Sequence, residues 1–154
     1  MQNCRTPSIF EPMRILLIIL ILFLSTNSLA QSSILGKWTT IDDSSGQPRS
    51  VVELTEKGSR VFGRIIKLYP NPGEEPDPVC DKCPEDDERF KKKVIGLEII
   101  RNMRWSNKEL TEGNILDPES GKIYRCSIWL EGDKLSVRGY WGPFYRTQTW
   151  KKVN

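Results

Sequence analysis

The sequence predicts an all-β fold: a single small antiparallel up-and-down β-barrel of about eight strands. Three observations carry that prediction. Beyond Ser33 the apolar residues alternate over short stretches, which is the period of a half-buried strand and not that of an amphipathic helix. Glycine, proline and aspartate punctuate those stretches where hairpin turns need them. The stretches, taken in order, number about eight, enough to close a sheet on itself with side chains filling the interior.

GKWTTI (36–41) opens the series. SVVEL (50–54) turns at Glu56-Lys57-Gly58 into RVFGRIIKL (60–68), and VIGLEII (94–100) supplies a central strand. GNIL (113–116) passes through DPESG (117–121), a turn sequence, into KIYRCSIWL (122–130). In that last stretch Tyr124, Cys126, Ile128 and Leu130 share one face, and Arg125 and Ser127 take the other. Gly132-Asp133 then reverses the chain into KLSVRGYW (134–141), with Leu135, Val137 and Trp141 inward, and YRTQTW (145–150) ends the series. One segment breaks the rhythm. Residues 70–93 form a long connection rich in proline and charge, the kind of loop that is usually functional or mobile.

Ahead of the barrel, residues 15–24 (ILLIILILFL) are an uninterrupted apolar run preceded by Arg14. The run is shorter than the about 20 residues that span a bilayer, and it is followed by STNSLA, with small residues at Ser28 and Ala30. A signal peptide over 1–30, cleaved after Ala30, is therefore expected, with export to the periplasm or the extracellular space. A true start at Met13 gives the leader a more compact basic head; an uncleaved anchor is the rival reading. The mature chain, 31–154, is one domain's worth of residues with no transmembrane anchor. Removing Arg5, Glu11 and Arg14 takes the formal charge from +3 to +2, with both signs interleaved, which argues against a nucleic-acid surface.

Three cysteines follow Ala30: Cys80, Cys83 and Cys126. In an oxidising compartment Cys80 and Cys83 are the expected disulfide, with Cys126 a core residue; a bridge from the loop to Cys126 is the alternative. Redox catalysis fits poorly, because between residues 74 and 88 eight carboxylates surround the pair against the single Lys82. Nearby negative charge disfavours a thiolate. No metal or cofactor is expected, since the chain has no histidine and a lone CxxC lacks a second ligand pair. The missing histidine also removes imidazole-assisted nucleophiles. A carboxylate-based hydrolase using Asp42-Asp43 or Asp117 with Glu119 is the remaining catalytic reading, although both stretches read first as turns.

Several phrases together resemble the family called domain of unknown function 2147, small exported bacterial proteins: GKWTTIDDSSGQPRSVVEL, the CDKC loop, VIGLEII, GNILDPESGKIYRCSIWL and LSVRGYWGPFYRTQTW. The resemblance implies one β-rich domain in the cell envelope and transfers no catalytic residues. A second likeness is to lipocalin-like barrels, in which a GxW tryptophan packs near an arginine of the last strand. That likeness implies a barrel-closing pair of Trp38 and Arg146. The densest candidate binding site is RGYWGPFYR, with Arg138, Tyr140, Trp141, Phe144 and Tyr145 as its residues. Two functions follow. One is non-catalytic binding of a small apolar or amphipathic molecule in the barrel; the other is an interaction or structural module that contacts another envelope protein.

Overall fold

The computed structural model describes residues 34–153; the leader expected over 1–30 lies outside the described residues. Eight strands follow one another: β1 (Gly36–Ile41), β2 (Pro48–Lys57), β3 (Arg60–Leu68), β4 (Glu98–Ser106), β5 (Glu109–Asp117), β6 (Lys122–Glu131), β7 (Lys134–Trp141) and β8 (Phe144–Lys152). Each pairs antiparallel with its neighbour in sequence, and β8 returns to β1 to close the barrel. Up-and-down closure needs no crossover and leaves alternate connections at opposite ends.

At one end the connections are minimal. Gly58-Ser59, Asn107-Lys108 and Gly132-Asp133 each join two strands. Each pair opens on a residue of positive φ, 63°, 56° and 65° in turn, the backbone hand that lets a two-residue hairpin follow the strand twist. Inside this end Trp38, Leu54, Val61, Met103, Leu110, Ile128 and Leu135 are buried almost completely. The Trp38 indole Nε1 donates to the Ile34 carbonyl at 2.8 Å, so burial leaves its one polar atom satisfied.

Several expected strands shift their bounds; SVVEL, for one, is the middle of β2. VIGLEII does not form one strand: β4 begins at Glu98 and runs on to Ser106. Gly96 turns the backbone at a φ of 93°, and its N–H donates to Ile65 O at 2.7 Å. Val94 and Leu97 remain buried all the same, inserted from the loop. GNIL is the second half of β5, which starts at Glu109. Gly113 is required there because a Cβ would stand 2.3 Å from Met103 Sδ and 2.5 Å from Arg101 O.

The long connection between β3 and β4 is an ordered strap across the other end. Cys80 N–H donates to Lys92 O, Lys91 N–H to Cys80 O and Val94 N–H to Pro78 O, at 2.8–3.0 Å. Cys80 and Cys83 form a disulfide, leaving Cys126 free and buried. Burial pushes the Cys126 thiol up to about 12, so it stays protonated and unreactive. Arg89, buried in the strap, grips Asp87 at 2.6 Å and donates to Glu98 O at 3.2 Å. Together these contacts turn a run of opposite charges into a self-supporting element.

Candidate ligand-binding site

The strap end of the barrel is hollow. A cavity of about 820 Å³ opens there, within the size range of small-ligand sites. Trp150 and Val137 face it from β8 and β7, with Leu116 from β5, Ile99 from β4 and Ile65 from β3. Val137 and Trp150 continue the inward set that packs the closed end through Leu135, so on β7 and β8 the same alternation also lines the cavity. A few polar groups interrupt the apolar wall. Thr40 and Ser50 share a hydroxyl–hydroxyl hydrogen bond of 2.8 Å, and Gln148 and Tyr124 lie on the same surface.

The rim comes from the other set of connections, between β1 and β2, β3 and β4, β5 and β6, and β7 and β8. It carries seven carboxylates, Asp42, Asp43, Glu74, Glu75, Asp81, Asp117 and Glu119, against three cations, Arg49, Lys82 and Arg146. Arg49 joins two connections, meeting Glu74 of the strap at 2.6 Å and Glu119 of the β5–β6 turn at 2.8 Å. Its guanidinium, with the Asn71 backbone N–H and amide, holds the Glu74 carboxyl down at about 2. The strap also presses its Lys82 carbonyl against Gly121, where a Cβ would lie 1.7 Å from that oxygen.

The β1–β8 ladder pairs only Trp38 with Lys152 and Thr39 with Lys151. Farther toward the mouth the two sides are linked instead by side chains, Arg146 of β8 donating to Asp43 beyond β1. This corrects the expected pairing of Trp38 with Arg146. Arg146 lies six residues before Lys152 on one strand, about 20 Å at strand rise. The cation over the Trp38 ring is Lys152, its Nζ 5.1 Å from the ring centroid.

The aromatic cluster divides between two surfaces. Trp141 and Phe144, paired across the last hairpin with ring centroids 6.3 Å apart, border the mouth, as does Tyr145. Arg138 and Tyr140 are not part of the cavity wall. Arg138 stacks on the Trp129 and Tyr145 rings at 4.8 and 4.4 Å and donates to Thr147 Oγ1 at 2.8 Å. The pleat puts Trp141 and Phe144 on one face and Arg138, Tyr140 and Tyr145 on the other, with Tyr145 reaching the mouth as well.

The paired carboxylates weighed for hydrolysis are turn residues first. Asp42 Oδ1 accepts from the backbone N–H and hydroxyl of both Ser44 and Ser45, which hold its carboxyl well below the usual range. A glycosidase acid needs the opposite shift. Asp117 accepts from the Glu119 backbone N–H and the Ser120 hydroxyl. Among the described residues, no three His, Cys, Asp or Glu side chains converge as a metal site. No helix there is long and apolar enough to cross a membrane.

Sequence reasoning missed the rim. Arg49, Glu74 and Arg146 act together with partners 25 to 103 residues away. The only local signal was the concentration of turn-forming acids at four separate connections.

Protein HP1028 from the human pathogen Helicobacter pylori, described as belonging to the lipocalin family, shares this fold with a TM-score of 0.65. The likeness covers 78% of this chain and 82% of that one at 18% sequence identity, so it concerns fold alone. No curated protein matches. A family model does match residues 36–152, the whole barrel from the first strand to the last, and the chain belongs to that family, described as an uncharacterized protein conserved in bacteria (DUF2147).

Proposed function

We propose that this protein is an exported binder of a small apolar or amphipathic molecule, held without catalysis in the open half of the barrel. The observation that carries the reading is the cavity of about 820 Å³, whose apolar wall ends on the buried Trp150. Export is supported by the apolar leader with its small-residue exit, by the disulfide, and by membership of a bacterial family. Cleavage after Ala30 puts Gln31 at the new N-terminus, which the intact mass of protein recovered from its own compartment checks.

Binding is tested with N-phenyl-1-naphthylamine, a neutral probe that brightens in apolar surroundings. Saturable one-to-one binding is expected. Gly139 lies on the cavity wall, where a Cβ would sit in contact with Tyr124 at 3.4 Å and Ile115 at 4.0 Å, and the larger side chain of Gly139→Leu takes up cavity volume. A folded Gly139→Leu protein should lose probe affinity by about tenfold; undiminished binding would remove the cavity from the account.

A second reading, contact with another envelope protein, is favoured by one observation. Trp141, Phe144 and Tyr145 at the lip are 63–70% exposed. If they serve a protein partner and not the ligand, the double variant Trp141→Ala, Phe144→Ala leaves probe affinity unchanged.

A further inference from the structure

We propose that the molecule held in this barrel has a cationic head, an aliphatic amine or quaternary ammonium carried on an apolar body, with the head at the acidic mouth. The inference rests on the cavity reading and adds the charge of the occupant. The cavity is the site; the rim selects what enters it.

Three observations converge. First, the cavity rim holds seven carboxylates against three cations, or four with Lys122 at the lip, although the chain from residue 31 carries a net +2. The negative mouth is therefore a local arrangement set against a positive body, and such a mouth concentrates cations and repels anions. Second, two of the three rim cations are already committed to carboxylates, Arg49 between Glu74 and Glu119 and Arg146 on Asp43. A carboxylate or phosphate head would have to displace those pairs. Among the described residues no ion pair, by contrast, engages Asp42, Glu75, Asp81 or Asp117. Their charge remains available to an incoming ammonium. Third, Trp141, Phe144 and Tyr145 put aromatic rings at the same lip, the surfaces over which ammonium groups settle, with one face of Tyr145 taken by Arg138. The structure already shows that geometry, with Lys122 Nζ 5.7 Å from the Trp141 ring centroid. Below the lip the wall is apolar, so the remainder of the ligand must be apolar as well.

The test displaces bound N-phenyl-1-naphthylamine with three molecules of equal chain length, decyltrimethylammonium, decanol and decanoate, each below its micelle concentration. At low salt the ammonium should compete at about tenfold lower concentration than decanoate, with decanol between, and the gap should close toward 1 M salt. Among the described residues the Glu75 and Asp81 side chains make no hydrogen bond or ion pair, and the Asp81 backbone N–H bond to Val79 O does not involve its carboxylate, so Glu75→Gln with Asp81→Asn leaves the fold intact. In that variant the gap should narrow about threefold while decanol is unaffected. Equal competition by all three molecules, or better competition by decanoate, overturns the cationic head and leaves the cavity reading standing. An unchanged gap in the double variant overturns the role given to the rim. Failure of the probe itself to bind sinks the cavity reading, and the head with it.

Discussion

The two ends of this barrel are built from the same eight strands and do opposite things with them. At the closed end three two-residue turns bring the strands together, and Trp38 with its neighbours fills the interior. At the open end three of the four connections are longer, up to the strap between Leu68 and Glu98, only the Gly142-Pro143 turn being as short as those of the closed end, and the interior is left hollow beneath them. Inward residues alternate all along the strands, so alternation does not separate plug from pocket. What separates them is what fills the interior and what ties the connections: large inward apolar groups meet at the closed end, while at the mouth ion pairs of Arg49 and Arg146 tie the longer connections over a hollow. Packing is concentrated in one half, and the cavity with its charged rim in the other.

The sharpest way to break that division is at Trp38. Trp38→Ala removes a fully buried indole and its hydrogen bond to Ile34 O, and should cost about 3–5 kcal/mol in urea unfolding. Trp141→Ala, at the mouth and 70% exposed, should cost under about 0.5 kcal/mol. Comparable losses at the two sites would mean that the open end carries the fold as well.

A pair of glycines sharpens it further. Gly121 and Gly142 both sit at open-end turns with positive φ, 73° and 56°. Only Gly121 is pinned, by the Lys82 carbonyl; around Gly142 a Cβ meets nothing. Gly142→Ala should cost about 1 kcal/mol of backbone strain. Gly121→Ala adds a collision and should cost about 2–3 kcal/mol. It should also free the strap, read as faster amide exchange at Lys91 and Val94 while the β6–β7 hairpin keeps its protection. Equal costs would show that the strap does not rest on the β5–β6 turn.

How much of this was readable beforehand divides along the same line. Period-two alternation marks inward residues whatever their partners, so the barrel and its strand number follow from local pattern. Cys80 and Cys83 are three apart, and their disulfide needed no long-range information. Residues 94–100 misled because apolar residues look the same when a loop inserts them into the core, as it does Val94 and Leu97, as when they line a strand. Arg146 misled because its place along β8 depends on register with β1, which no local signal sets. The rim was illegible for the stronger reason that four connections contribute to it, and its excess charge exists only once the barrel closes.

Reduction of Cys80–Cys83 asks whether the strap can come loose alone. The closed loop is small, so the bridge should contribute about 2 kcal/mol, felt in the strap. With reductant, exchange should rise across 69–97 and the midpoint of the main unfolding transition should barely move. A large fall in that midpoint would make the strap part of the cooperative core.

Acid should find the same boundary with a smaller effect. The carboxyls held clearly below their usual range, Asp42, Glu74 and Asp87, all lie in open-end connections. Asp87 is the most enclosed of the three; its bonds to Arg89 bring it down to about 2. A carboxyl depressed in the folded state lends stability above its unfolded value near 4, and that stability drains away as pH falls toward 2. For Asp87 the contribution is about 1–2 kcal/mol at neutral pH. Protonation leaves Arg89 buried without its counter-charge, so the strap should loosen first, with exchange rising in 69–97 near pH 3 while Trp38 emission still reports a packed closed end. Asp87→Asn should lose that increment at pH 7 and flatten the stability profile between pH 5 and 2. Parallel profiles for the two proteins would place the acid-sensitive contacts elsewhere, and simultaneous loss of strap protection and Trp38 burial would show the two ends to be one cooperative unit.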